Sequence, residues 1–250
     1  ARMPYTQLAK QVSLSQEGVR YRVKRLEDTA IKDYVTVLNH NALGRRSYRI
    51  FFKFQDRTRE LEEQFVDLVR DHAAWFVRVR GEWSFNTMFF ADDEYAVKRM
   101  LDRIHEAFPE AFLDNHVSLV TRIYHYPRQF FHDDQGGGDT QVMGDPGGTY
   151  DVDQKERKIL ESLRRNARQK TVEVARDTGL SERVVRYRMK QLEDADVILA
   201  YRALPDLQAL GRLYYKVHFH LNKQDEETRK QLRRYAEREA TVTYLTEAVG

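Results

Sequence analysis

Leu14-Ser15-Gln16-Glu17-Gly18-Val19-Arg20-Tyr21-Arg22-Val23-Lys24-Arg25-Leu26-Glu27-Asp28 returns in the same chain as Leu180-Ser181-Glu182-Arg183-Val184-Val185-Arg186-Tyr187-Arg188-Met189-Lys190-Gln191-Leu192-Glu193-Asp194. In each copy a serine stands where it can cap a helix. Apolar residues follow at i, i+4 and i+7: Val19, Val23 and Leu26, then Val185, Met189 and Leu192. That spacing buries one stripe. The opposite face carries Arg183, Tyr187 and Lys190, flanked by Arg186; in the first copy it carries Glu17, Tyr21 and Lys24, with Arg20 beside them. Arginine forks onto guanine, lysine and tyrosine reach phosphate, and a helix fits the major groove. With Ser15, Gln16 and Ser181 at the helix starts, these are the candidate DNA-contacting residues. A solvated basic face explains one copy as well as DNA does. A duplicated Arg-Tyr-Arg pattern on a capped helix favours DNA.

The repeat continues outward with one residue inserted. Tyr34 meets Tyr201, Ala42-Leu43-Gly44-Arg45 meets Ala209-Leu210-Gly211-Arg212, Tyr48 meets Tyr215 and Phe52 meets Phe219. A period of about 166 residues is too long for a solenoid and reads as duplication of a whole module. Ala1-Arg2 aligns with Ala167-Arg168, and Gly81 aligns with Gly250. The first copy is therefore expected to lack its beginning and the second its end. In the second copy Asp153-Gln154-Lys155-Glu156 opens a helix as a capping box. Thr171–Asp177 is a second short helix, Thr178-Gly179-Leu180 a tight turn, and Ser181 the cap of a third. An apolar-rich strand follows each reading helix, at 31–37 and 197–204, as the continuation of a winged helix.

These residues carry a family resemblance. Asp153, Glu156-Arg157-Lys158-Ile159-Leu160, Leu163 and Asn166-Ala167-Arg168, then Val174-Ala175, Gly179-Leu180-Ser181, Val185, Arg188 and Leu192-Glu193, resemble the Lrp/AsnC "feast or famine" transcription regulators. The Ala-Leu-Gly element belongs to the same pattern. Glu156 stands where the family usually has Asp. The resemblance covers the chain in tandem, apart from the linker, and implies DNA binding together with a domain for dimerisation and effector binding.

Residues 47–126 read as strand 47–54, helix 57–72, strands 74–80 and 84–91, helix 92–108 and strand 117–126. That order, βαββαβ, is a ferredoxin-like sandwich, as the resemblance also implies. The family's turn motif is Gly, a variable residue, an aromatic and Asp; here it is Gly81-Glu82-Trp83-Ser84. The resemblance makes Gly81, Trp83 and Ser84 the candidate ligand-binding residues. Ser84 removes a carboxylate able to hold an ammonium group, which weakens an amino-acid effector.

The net charge of +3 conceals a pattern. Residues 1–54 hold 11 basic and 4 acidic side chains, and residues 154–221 hold 15 and 9. Residues 55–131 hold 10 and 14, and residues 132–153 none and 6. Two basic blocks around an acidic middle suit an anionic partner. Half of the 12 glycines lie in 136–148, so 132–150 reads as a flexible acidic linker. Zero cysteines exclude disulfides, thiol nucleophiles and cysteine-ligated zinc. No apolar run is long enough for a membrane helix, and a cytoplasmic location is expected. His218 and His220 share a strand face, but no third ligand has matching spacing, so no metal is expected. No catalytic triad, dyad or cofactor motif stands out.

The expected fold class is α+β: winged helix-turn-helix units at 1–46 (without its first helix) and 151–211, a ferredoxin-like domain at 47–131, the linker at 132–150, and the start of a second ferredoxin-like domain at 212–250. The expected function is a sequence-specific, DNA-binding, non-enzymatic transcription regulator. Its partners would be double-stranded DNA, an amino acid or other metabolite as effector, and further copies of itself joined through 47–126. Siroheme decarboxylases resemble the same family and are the enzymatic alternative. They would need histidine and arginine around a tetrapyrrole, whereas the corresponding strands offer Arg78 and Arg80 and no histidine between residues 73 and 104. An architectural DNA binder without effector is the third reading.

Overall fold

The computed structural model describes residues 2–131, 139–144, 148–219, 221–223 and 225–250. In chain order the elements begin α1 (Tyr5–Gln11), α2 (Gln16–Thr29), β1 (Ile31–Leu38) and β2 (Arg46–Phe54). Next come α3 (Arg59–Arg70), β3 (Trp75–Arg78), β4 (Phe85–Ala91), α4 (Glu94–Ala107), β5 (Phe112–His125) and β6 (Gln141–Met143). Then follow α5 (Gln154–Arg165), α6 (Thr171–Thr178), α7 (Glu182–Asp194), β7 (Ile198–Pro205), α8 (Glu226–Arg238) and β8 (Tyr244–Val249). The chain divides into two compact units, and each draws on both copies: 1–39 with 151–222, and 40–150 with 223–250.

In the first unit, α5, α6 and α7 enclose a core of Ile159, Leu163, Val174, Val185 and Leu192, all fully buried. The Asp153 carboxylate accepts from the Glu156 amide at 2.8 Å, and the Glu156 carboxylate accepts from the Asp153 amide at 3.1 Å. This is the expected capping box. Gly179, at φ 70°, ends α6 in the left-handed region, where a side chain would be strained. The aligned Ser13 adopts φ 52° with a side chain in place. Leu26 departs from its expected inward position and is 46% exposed, while its counterpart Leu192 is buried. The core that buries Leu192 includes Ile159 and Leu163 of α5.

The strands that follow the reading helices do not form separate wings. β1 and β7 pair with each other, antiparallel. Each copy supplies one such strand with unpaired N–H and C=O groups, and mutual pairing satisfies them. Tyr34 faces Ala203, Thr36 faces Tyr201, and Val35 faces Arg202. Exchanging the copies turns Tyr34 into Tyr201 and Ala203 into Thr36, so the ladder maps onto itself. Val35 and Arg202 sit at the centre of a local two-fold.

In the second unit the antiparallel path is β3-β4-β2-β5, which is the βαββαβ sandwich in its ferredoxin-like order. Ile50, Phe52 and Phe54 of β2 meet Phe65 and Val69 of α3, Phe85 of β4 and Ile104 of α4 in an apolar layer. β5 starts five residues before the expected strand. Its far end pairs with both β6 and β8. Part of the expected linker is thus a strand, because Gln141–Met143 find open ladder positions on β5; residues 132–138 and 145–147 lie outside the described residues. The β5 edge, expected to be open to another chain, is covered by β8 of the second copy. Residues 213–219, aligned with β2, form no strand, and Leu213, Tyr215 and Phe219 are exposed. Among the described residues no strand flanks that segment.

Candidate nucleic-acid interface

Each reading helix begins at a capped serine. The Ser15 hydroxyl accepts from the Gly18 amide at 3.0 Å, and the Ser181 hydroxyl accepts from the Val184 amide at 3.4 Å. Both serines therefore set the helix starts. On α7, Arg183, Arg186, Tyr187 and Lys190 are exposed and border one open depression with Glu182. Arg186 pairs with Glu182 at 3.7 Å and Lys190 with Asp194 at 2.5 Å. These are exposed i,i+4 pairs, weak enough to be exchanged for phosphate. The Asp194 carboxylate raises the Lys190 pKa, so the ammonium stays charged. Arg183 has no acidic partner among the described residues. On α2, Gln16, Glu17, Arg20, Tyr21 and Lys24 are exposed in the same order. Tyr21 and Tyr187 are 70% and 60% exposed, a poor use of large rings unless something covers them.

Sequence reading missed the contacts that join the two readers. The Arg168 guanidinium lies 5.1 Å over the Tyr34 ring, and the Tyr34 hydroxyl donates to Glu27 at 2.7 Å. Reciprocally, the Arg2 guanidinium lies 5.2 Å over the Tyr201 ring, and the Tyr201 hydroxyl donates to Glu193 at 2.8 Å. Each arginine comes from the other copy. Burial, then the glutamate acceptor, pushes both tyrosine hydroxyls up, so both remain protonated donors. The available signal was the alignment itself, which matches Arg2 with Arg168, Glu27 with Glu193 and Tyr34 with Tyr201.

The expected ligand residues do not converge. Gly81 is exposed at a turn, with φ 126°. Trp83 packs beside Phe51 and His116, at 5.7 and 6.2 Å between ring centres. Ser84 is buried, and its hydroxyl accepts from the Phe54 amide at 3.1 Å, facing the sheet. The second unit has instead a cavity of about 470 Å³ whose walls include Arg46, Arg122, Arg229 and Arg233, with Glu226 and Glu247. Glu226 and Glu247 pair with Arg233, while Arg229 forms no direct ion pair among the described residues and adds its charge near Glu226. Among the described residues no group of three or more histidine, aspartate or glutamate side chains is placed to hold a metal ion, and His220 lies outside those residues. No helix among the described residues is long and apolar enough to cross a membrane.

Residues 152–198 match the winged helix-turn-helix DNA-binding family, and residues 1–27 match the AsnC-type helix-turn-helix domain. No curated protein matches the chain. Among solved structures, the siroheme decarboxylase NirDL, in complex with an iron-uroporphyrin III analogue, is similar over 99% of this chain and 85% of its own, at 14% identity and TM-score 0.53. A Neisseria meningitidis transcriptional regulator in complex with L-Met covers 48% of this chain and 79% of its own, at 22% identity and TM-score 0.40. The NirDL likeness is one of fold. The two sequence matches fall on α1–α2 and α5–α7, the segments that carry the paired reading helices. The chain therefore carries two segments that match helix-turn-helix DNA-binding domains, residues 1–27 in the AsnC-type form and residues 152–198 in the winged form.

Proposed function

We propose that this chain is a sequence-specific DNA-binding transcription regulator of Lrp/AsnC type. The observation that carries this reading is the pair of serine-capped helices, α2 and α7, each with an exposed Arg-Tyr-Lys face. DNA as partner calls for the compartment that holds it, here the cytoplasm. The test is fluorescence anisotropy on duplex DNA. Arg183→Ala relaxes base preference, at a cost of about 1–3 kcal/mol. Replacing Arg183, Arg186, Tyr187 and Lys190 together abolishes specific retention while circular dichroism stays native. Unchanged affinity in that folded variant overturns the reading. A visible absorption band on adding siroheme, without DNA retention, supports the decarboxylase-like alternative.

For the effector, the arginine-lined cavity is the better candidate than the Gly81–Ser84 turn. Guanidinium forks hold carboxylate or phosphate bidentately, and the volume suits a small metabolite. Citrate as probe raises the melting temperature of the wild type and leaves Arg229→Ala unmoved. Equal shifts in both reject the cavity.

A further inference from the structure

We infer that one chain, by itself, reads two inverted and unequal DNA half-sites, and that the contrast between Glu17 and Arg183 sets the difference between them. This rests on the DNA-binding reading above.

The inverted arrangement comes from the strand register. Two readers joined in tandem by a flexible connection could bind half-sites in either orientation. Here β1 and β7 pair antiparallel about Val35 and Arg202. The crossed Arg168–Tyr34–Glu27 and Arg2–Tyr201–Glu193 contacts fix the same relation at both sides of the ladder. A two-fold between readers matches a two-fold between half-sites, normally supplied by two chains. This unit contains both readers in one chain.

The inequality comes from the second position of each reading helix. After the serine caps, α2 presents Gln16 then Glu17, and α7 presents Glu182 then Arg183. The N-terminal residues of a recognition helix are those that reach base edges. Arginine forks onto guanine O6 and N7, and a carboxylate accepts from cytosine N4. Arg20, Tyr21 and Lys24 repeat as Arg186, Tyr187 and Lys190. The favoured target is then an inverted repeat in which one G·C pair is flipped between otherwise similar halves.

The test uses the full chain and sequences selected from random duplex DNA. From the selected site three further duplexes are made: each half doubled into a perfect palindrome, and the two halves placed as a direct repeat. Calorimetry expects one chain per selected duplex and roughly tenfold or greater loss on the other three. Glu17→Arg, a change on an exposed position, transfers the preference to the palindrome of the Arg183 half. Two chains per duplex, equal binding of all four duplexes, or a Glu17→Arg variant with unaltered preference overturns the inference while leaving DNA binding intact. Failure to select any sequence overturns the DNA-binding reading itself.

Discussion

Glu156 is a polar side chain with 1% of its surface exposed. It is tolerated because its carboxylate accepts from its own helix start and from Arg188 at 3.4 Å, while Arg188 also reaches Asp153 at 3.0 Å. Burying a charge without such partners is prohibitive. Arg188 thereby ties the reading helix to the start of α5, which gives one residue outside the exposed face influence over that face. Glu156→Ala leaves Arg188 with Asp153 as its one acidic partner and removes half of the capping box, lowering stability by about 1–2 kcal/mol. Urea unfolding measures this, and a loss below 0.5 kcal/mol contradicts it. The cap was legible because its two partners lie three residues apart in the chain. The Arg188 contact was not, since it spans 32 residues and depends on how two helices cross.

At the scale of elements, the two helix-turn-helix copies differ most in their turns. Gly179 accepts the left-handed conformation freely, whereas Ser13 holds it under strain. Ser13→Gly therefore stabilises the chain by about 0.5–1 kcal/mol and Gly179→Ala destabilises it by a similar amount. Thermal unfolding of the two variants in opposite directions is the expected result. Between β1 and β2, the His40 ring stacks on Phe90 at 3.4 Å. Burial, then the Arg45 charge, pushes the His40 pKa down from 6.5 to about 4. The unfolded chain thus binds the proton first as pH falls. The contribution is fully present above pH 6.5 and is lost between about 6.5 and 4, about 1–3 kcal/mol in all. His40→Phe flattens that limb of a stability–pH curve, and an unchanged limb refutes the assignment. Helices were legible because caps and apolar spacing are local. The pairing of β1 with β7 was not, because a strand pattern states that a partner exists without saying which one.

For the whole molecule, the second copy completes the first in both units. β8 lies along β5, with Leu119 facing Val249 and Ile123 facing Thr246, and Arg49 of β2 donates to Thr246 at 3.0 Å. A chain ending at Lys223 uncovers that strand edge, and exposed edges template association. Light scattering at micromolar concentration then finds larger species than for the full chain, and identical masses would show that β8 is dispensable as a cover. The mixed helix-and-sheet class, with helix-turn-helix and ferredoxin-like parts, was legible because caps, turns and apolar periods are local. The interleaving of copies within each unit was not, since it is decided by which edges remain unsatisfied after the local elements form. The joined ladder of β1 and β7 has a consequence for how such a protein changes over generations. In a reader made of two identical chains, every substitution on the reading helix appears twice, so both half-sites must shift together. With two separately encoded halves held by one ladder, a single substitution retunes one half while the other anchors the complex, and new targets lie one mutation away rather than two.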